Sequence, residues 1–144
     1  MMKAPSLAVP IVLLAGVWLA GCSKPDDVRV PVQGTVFVGG KPATYGAVIL
    51  IPDASKGNTS KHEPRGKIEA DGKFTVQTTT QNGAPAGPYK VGVTVTEPPD
   101  PKNPYVVLKS LIDAKYNDPE TSGLSLEVVP SAKAGAYDLK LAPN

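Results

Sequence analysis

The side chains able to do acid–base or metal chemistry are few, and their spacing does not form a catalytic pattern. His62 and Glu63 are adjacent and could form a proton-transfer pair or half of a metal site. A metal site needs three or four converging ligands, whereas this chain has one histidine and one cysteine. We therefore interpret His62 as a solvated loop residue, and we expect no metal, no cofactor and no catalytic residue.

A second candidate is "IEADGKF", in which Glu69 and Asp71 precede a glycine. A calcium loop needs acids at three alternate positions and a later glutamate, and only two acids are present. The pair Asp71-Gly72 is also a common hairpin dipeptide. We interpret the stretch as a turn.

Three acids surround a tyrosine in "IDAKYNDPETSG". Asp113, Asp118 and Glu120 could bind Ca²⁺ or a cationic sugar-like group near Tyr116. They could equally cap turns, as Asp118 before a proline commonly does. Both interpretations stay open, and these four residues are the possible partner-binding site.

The only cysteine lies directly after an apolar run. Lys3 precedes "LAVPIVLLAGVWLA", which has the length of a secretory h-region and is too short for a confident transmembrane helix. The run ends in Leu19-Ala20-Gly21-Cys22, which resembles the bacterial lipobox. That resemblance implies lipidation of the Cys22 thiol and cleavage before it. We expect a signal peptide over 1–21, a tether over 22–29 and a domain over 30–144.

The predicted anchor fixes an expectation about location. A lipid on Cys22 would hold the protein at the cell envelope, facing the periplasm, and Ser23 favours the outer membrane. A lone cysteine also excludes an intramolecular disulfide, so the domain must fold on its core alone.

Charge and composition narrow the class of partner. The chain has 15 basic and 13 acidic residues, and no basic cluster, so we expect no nucleic-acid binding. Sixteen prolines and fourteen glycines separate short apolar runs. That distribution is typical of many short strands joined by turns.

The apolar pattern predicts seven or eight strands. Alternation is clearest in "VPVQGTVFV" and in "YKVGVTVTE", where Tyr89, Val91, Val93 and Val95 share one face. Asp71-Gly72 between Ile68 and Phe74 predicts a type I′ hairpin. The segment "YVVLKSLIDAKY" is ambiguous between a strand and a turn of helix. The expected fold is all-β, an antiparallel β-sandwich with Greek-key character.

The order of these motifs resembles the carboxypeptidase regulatory-like domain, a transthyretin-like (prealbumin-like) β-sandwich. The match spans about residues 31–96, and its residues are Gly34, Val36, Gly40-Lys41-Pro42, Ala47, Val48, Asp71-Gly72-Lys73-Phe74 and Gly87-Pro88-Tyr89-Lys90-Val91. The tail is similar to that of short planctomycete-type lipoproteins, on Tyr116, Pro119, Thr121, Ser122 and Gly123.

The resemblance implies a non-catalytic role. The related hydroxyisourate hydrolases use several histidines and a C-terminal Tyr-Arg-Gly-Ser, whereas this chain has one histidine and ends "KLAPN". We expect a structural or protein-binding module, not an enzyme. The alternative is a carbohydrate-binding module for an envelope polysaccharide, with Tyr45, Tyr105 and Tyr116 as exposed rings and with Phe74 and Tyr89 in the core.

Overall fold

The computed structural model describes residues 28–144, which form an all-β domain. The predicted signal peptide, Cys22 and most of the predicted tether lie outside the described residues. The strands are β1 (Gln33–Val38), β2 (Lys41–Pro42), β3 (Gly46–Pro52), β4 (Arg65–Ile68), β5 (Lys73–Thr78), β6 (Gln81–Asn82), β7 (Gly87–Val95), β8 (Leu124–Val128) and β9 (Leu139–Leu141). Two short 3₁₀ helices cover Ala54–Lys56 and Ala114–Asn117.

The strands form one curled sheet in the order β2-β1-β5-β4-β3-β7-β8, with β6 beside β5. The neighbours in this order pair antiparallel, as expected. The last strand departs from that expectation, because β9 pairs parallel to β1. β1 changes partners along its length: residues 33–35 pair with β5, and residues 36–38 pair with β9, while residues 37 and 38 also pair with β2.

Segment 110–112 joins β7 to the end of the chain. Two isolated bridges, Thr96 with Ser110 and Ile112 with Pro143, connect it on its two sides. The Leu111 N–H donates to the carbonyl of the last β7 residue at 3.0 Å, and the Leu111 carbonyl accepts from the backbone of residue 144 at 3.1 Å. These contacts draw the two flanks of the sheet together at this end.

The ambiguous segment of the sequence is thereby resolved. Residues 105–109 belong to no strand, residues 110 and 112 form the two bridges, and Ala114–Asn117 is a turn of 3₁₀ helix that contains Tyr116. The helical alternative is correct for the last part of the segment only.

Alternation along the strands produces the core. In β7, Tyr89, Val91, Val93 and Val95 are all buried on one side, as the pattern predicts. Phe74 in β5 is also buried, so the expectation that Tyr89 and Phe74 belong to the core is confirmed. Apolar side chains from all the longer strands meet in this single core cluster.

The hairpin between β4 and β5 forms, but its turn is not type I′. Ile68 pairs with Phe74, and the Gly72 N–H donates to the Glu69 carbonyl at 2.9 Å. A type I′ turn needs positive φ at both central residues, whereas Gly72 has φ 82° and Asp71 is not in the positive-φ region. The loop is instead longer and closes on a left-handed glycine.

The chain enters the domain at one end of the sheet, and its longest proline-rich loop lies at the other. Val30 bridges Ala84, just ahead of the first residue of β7. Residues 97–109 follow the last residue of β7, Val95. A nine-residue strand spans about 27 Å at the usual rise per residue, which separates the two ends by that distance.

Candidate functional site

His62 and Glu63 do not form an acid–base pair in the structure. The Glu63 carboxylate lies 3.3 Å from the Arg65 guanidinium, and the His62 backbone N–H donates to the Ser60 hydroxyl at 3.2 Å. Among residues 28–144, no three His, Cys, Asp or Glu side chains converge in a way that could hold a metal ion.

The acids of the hairpin loop each lie near a lysine. Asp71 accepts from the Lys73 backbone at 3.1 Å, and its second oxygen is 3.6 Å from the Lys73 ammonium. Glu69 lies 3.9 Å from the Lys67 ammonium. These contacts agree with the turn interpretation.

Two of the acids around Tyr116 cap local structure. Asp113 is the N-cap of the 3₁₀ helix Ala114–Asn117 and accepts from the Lys115 N–H at 2.9 Å. Asp118 accepts from the Glu120 N–H at 2.9 Å. Each carboxylate thereby accepts from the backbone two residues further along the chain, as side-chain caps usually do.

Glu120 and Tyr116 point to other parts of the domain. The Glu120 carboxylate accepts from the Lys90 ammonium at 2.6 Å, and this hydrogen bond raises the pKa of Lys90. Tyr116 is buried against the core, with the Lys115 ammonium 4.9 Å from its ring centroid. Partner binding by the four predicted residues stays a prediction, and each has a structural role.

The three tyrosines proposed as a sugar platform differ in exposure. Tyr105 is 94% exposed, Tyr45 is half-buried, and Tyr116 is 9% exposed. A flat aromatic platform needs several exposed rings, and Tyr116 does not supply one. The carbohydrate alternative therefore depends chiefly on Tyr105.

Asp53 is a buried acid whose ionisation is perturbed for a structural reason. Its Oδ1 accepts from the Ser55 hydroxyl at 2.5 Å and from the Ser55 N–H at 3.1 Å, at the start of the 3₁₀ helix Ala54–Lys56. The hydroxyl hydrogen bond is the main cause of the lowered pKa of Asp53. The lowered pKa of Asp53 therefore has a structural cause, the capping of the 3₁₀ helix Ala54–Lys56.

The most distinctive surface is the loop 97–109, whose two ends are fastened together. Thr96 bridges Ser110, and the Glu97 N–H donates to the Lys109 carbonyl at 3.3 Å. Within the loop, Asp100 accepts from the backbone N–H groups of Lys102 and Asn103, at 2.9 and 3.0 Å. Four prolines, at 98, 99, 101 and 104, further restrict the backbone. The loop is therefore held in shape.

This loop presents three consecutive apolar residues to solvent. Tyr105 is 94% exposed, Val106 53% and Val107 92%. We call Tyr105–Val107 the apolar tip. Single exposed apolar residues are ordinary, whereas three consecutive ones on a loop with fastened ends are less so, and exposed apolar patches often mark interaction sites.

Beside the base of the loop, the curled sheet opens into a cavity of about 620 Å³. We call this cavity the mouth. Its apolar lining includes Val38, Ala43, Val95 and Leu111, which lie at the end of the core. Its volume is within the range of small-molecule sites, which often occupy the open ends of barrels.

The sequence predicts exposure of Tyr105 only as one ring of the carbohydrate alternative, and it predicts neither the apolar tip as a whole nor the mouth. Residues 105–107 belong to the segment that the sequence leaves ambiguous between strand and helix. The available signal was the run of prolines directly ahead of Tyr105, because proline stops an apolar run from joining the interior of a sheet. The mouth had no local signal, since its lining comes from five separate stretches of the chain.

No protein-family model, curated protein or solved structure matches this chain. The resemblance to the carboxypeptidase regulatory-like domain and to planctomycete-type lipoproteins therefore stays a prediction. Within residues 28–144, the structure contains no helix long and apolar enough to cross a membrane.

Proposed function

We propose that this chain is a non-catalytic, lipid-anchored protein of the bacterial cell envelope that binds another protein through the apolar tip. The observation that carries the proposal is the exposure of Tyr105–Val107 on a loop with fastened ends. A patch of this kind is costly to leave in water, and burying it against a partner removes that cost.

The placement of the tip supports this function. The chain enters the domain at Val30, and the loop 97–109 projects from the far end of β7. With Cys22 held in a membrane, a short tether would keep the Val30 end near the lipid surface. The tip would then face away from the membrane, where soluble or envelope proteins can reach it.

The topology supports the proposed transthyretin-like sandwich. β1 leaves β5 after Thr35 and continues beside β9. A strand that changes partners in this way can pass from one layer of a sandwich to the other. Gly34 stands where β1 closely approaches the segment before β9, since a Cβ at this position would lie 2.3 Å from the Tyr137 carbonyl oxygen.

The anchoring part of the proposal is tested at Cys22. In cells, the wild-type protein should fractionate with membranes, and both Cys22→Ser and globomycin should change its membrane association and its electrophoretic mobility. Several acyl chains on one cysteine hold a protein firmly, so the wild type should resist extraction with high salt. Unchanged association and mobility in both cases would refute the lipid anchor.

The binding part is tested by site-specific photo-cross-linking in intact cells. A photoreactive residue at Val107 should capture one predominant protein, while the same residue at Val129, near the opposite end of the domain, should not. Adding Tyr105→Ser should weaken the capture, because the one aromatic ring of the tip is lost. Equal capture from both positions would refute a specific role for the tip.

A further inference from the structure

The apolar tip belongs to a segment in which exposure alternates from one residue to the next. Tyr105 and Val107 are almost fully exposed, whereas Val106 between them is far less so. Beyond the tip, Leu108 is half-buried and Lys109 is exposed again. A period of two residues is typical of a strand, because successive side chains of a strand point to opposite faces. We call residues 105–109 the pairing segment.

The pairing segment has the composition of a strand but no neighbouring strand. Residues 105–108 are one tyrosine, two valines and a leucine, with no charge among them, and tyrosine and valine favour strands. The next residue, Ser110, already forms an antiparallel bridge with Thr96. The segment itself nevertheless belongs to none of the nine strands of the described domain.

Two consecutive residues of the pairing segment have unpaired backbone groups. Within residues 28–144, neither Val107 nor Leu108 donates or accepts a backbone hydrogen bond. Unpaired N–H and C=O groups on an exposed, strand-like segment are a template on which another chain can form a strand.

The Lys109 carbonyl indicates which of these groups faces outward. It points into the loop, where it accepts from the Glu97 N–H at 3.3 Å. In a strand, the backbone groups of successive residues point to opposite sides. The N–H and C=O of Leu108 would therefore point away from the loop in an extended segment, and those of Val107 would point into it.

We propose that the apolar tip binds its partner by β-augmentation, in which residues 105–109 add as a strand to an exposed sheet edge of a different protein. This inference rests on the proposed function and defines the kind of partner that the tip recognises. The outward backbone groups of Leu108 would pair with the partner's edge and supply affinity. The side chains of Tyr105 and Val107, on one face of the new strand, would supply specificity.

The residues at the two ends of the tip favour a different protein over a second copy of this chain. Pro104 has no N–H to donate, and Lys109 is charged. Proline and lysine at an exposed edge are devices by which proteins avoid pairing with their own copies. Two tips paired antiparallel about residues 106 and 107 would place Pro104 of one copy opposite Lys109 of the other, which would weaken both ends of the pairing.

The register of the pairing is tested in intact cells with the full-length protein. The photoreactive residue p-benzoylphenylalanine is placed at Val107 in one variant and at Lys109 in another, two residues apart on one face of the segment. Mass spectrometry of the cross-linked peptides identifies the partner residue reached from each position. If the segment pairs as a strand, the two partner residues should lie about two positions apart on a single strand of the partner.

Proline variants test the backbone hydrogen bonds, with the photoreactive residue kept at position 109. Leu108→Pro and Leu108→Ala both remove the leucine side chain, but only Leu108→Pro removes the N–H. We expect capture by Leu108→Pro to be about 2- to 10-fold lower than capture by Leu108→Ala, the effect of one lost hydrogen bond. Val107→Pro and Val107→Ala should differ less, because the Val107 N–H would face into the loop. Thermal unfolding of each variant checks that lost capture is not lost fold.

The possible results separate this inference from the proposed function. Capture of one protein without the two-position step, or equal capture by Leu108→Pro and Leu108→Ala, would overturn β-augmentation and leave protein binding by the tip intact. If the captured protein were a second copy of this chain, the choice of a different partner would be wrong. If neither position captured a protein, the proposed function would fail, and β-augmentation would fail with it.

Discussion

Ile112→Ala should destabilise the domain by about 3 kcal/mol. Ile112 is fully buried in the core, and its bridge to Pro143 helps to join β7 to the end of the chain. Three carbon atoms are removed, which at roughly 0.8 kcal/mol for each buried methylene gives about 2.4 kcal/mol. The cavity left behind adds to this value, because the neighbouring backbone is bonded on both sides and cannot collapse freely.

The effect is measured by urea unfolding of a soluble version that begins at residue 22 and carries Cys22→Ser. Far-ultraviolet circular dichroism is the suitable signal, since Trp18 is the only tryptophan and is absent from this version. The matched control is Val107→Ala, which removes apolar atoms from a residue 92% exposed and should change stability by no more than about 0.5 kcal/mol. Ile112→Val should fall between them, at about 1 kcal/mol.

Comparison of Ile112→Ala with Val107→Ala tests whether segment 110–112 is part of the core. If Ile112→Ala costs less than about 1 kcal/mol, or no more than Val107→Ala, then segment 110–112 does not contribute to the core as described. Such a result would also remove the structural basis of the mouth, because Ser110 and Leu111 belong to its lining.

Three further substitutions test individual contacts. Because the pKa of Asp53 is lowered in the folded protein, its carboxylate contributes to the free energy of unfolding above pH 3.8, and this contribution is lost as the pH falls through the lowered folded pKa. Ser55→Ala removes the main cause of the shift, so the variant should lose less stability than the wild type between pH 7 and pH 2.5 in urea unfolding. Parallel pH profiles of the two proteins would contradict this. Gly72→Ala should lower the melting temperature, because residue 72 has φ 82° and a Cβ there would lie 2.8 Å from the Pro42 side chain; an unchanged melting temperature would show that the loop relaxes. Tyr89→Phe should lower the free energy of unfolding in urea by about 1 kcal/mol, because the buried Tyr89 hydroxyl donates to the Pro85 carbonyl at 2.8 Å. A change in this free energy within experimental error would mean that water satisfies the Pro85 carbonyl in the variant.

The acidic residues predicted from sequence to bind a partner have structural roles in the domain. Asp113 and Asp118 cap their neighbours, and Glu120 pairs with Lys90. A single sequence reveals a cap such as Asp118 before proline, because the capping partner lies two residues away. It does not reveal that Glu120 meets Lys90, because that contact joins residues 30 positions apart.

Sequence by itself determined the all-β class and the faces of the strands. Alternation in β7 assigned Tyr89, Val91, Val93 and Val95 to the core, because a strand turns successive side chains to opposite faces whatever surrounds it. It also determined the hairpin at Asp71-Gly72, although not its turn type, since loop length depends on which residues of β4 and β5 pair. The predicted lipobox is likewise a local pattern, and it stays a prediction that is tested at Cys22.

Only the tertiary structure decided how the ends of the sheet are built. The parallel pairing of β9 with β1, the bridges of segment 110–112 and the mouth between them bring together residues separated by up to about a hundred positions. Exposure of the apolar tip has a partial local signal in the prolines ahead of Tyr105, but the closure of its loop depends on tertiary pairing. Residues 105–107 are as apolar as a core strand, and they remain in solvent in a loop that lies outside every strand and is closed by the bridge between Thr96 and Ser110. Such contacts depend on the path of the whole chain, and no local pattern carries them.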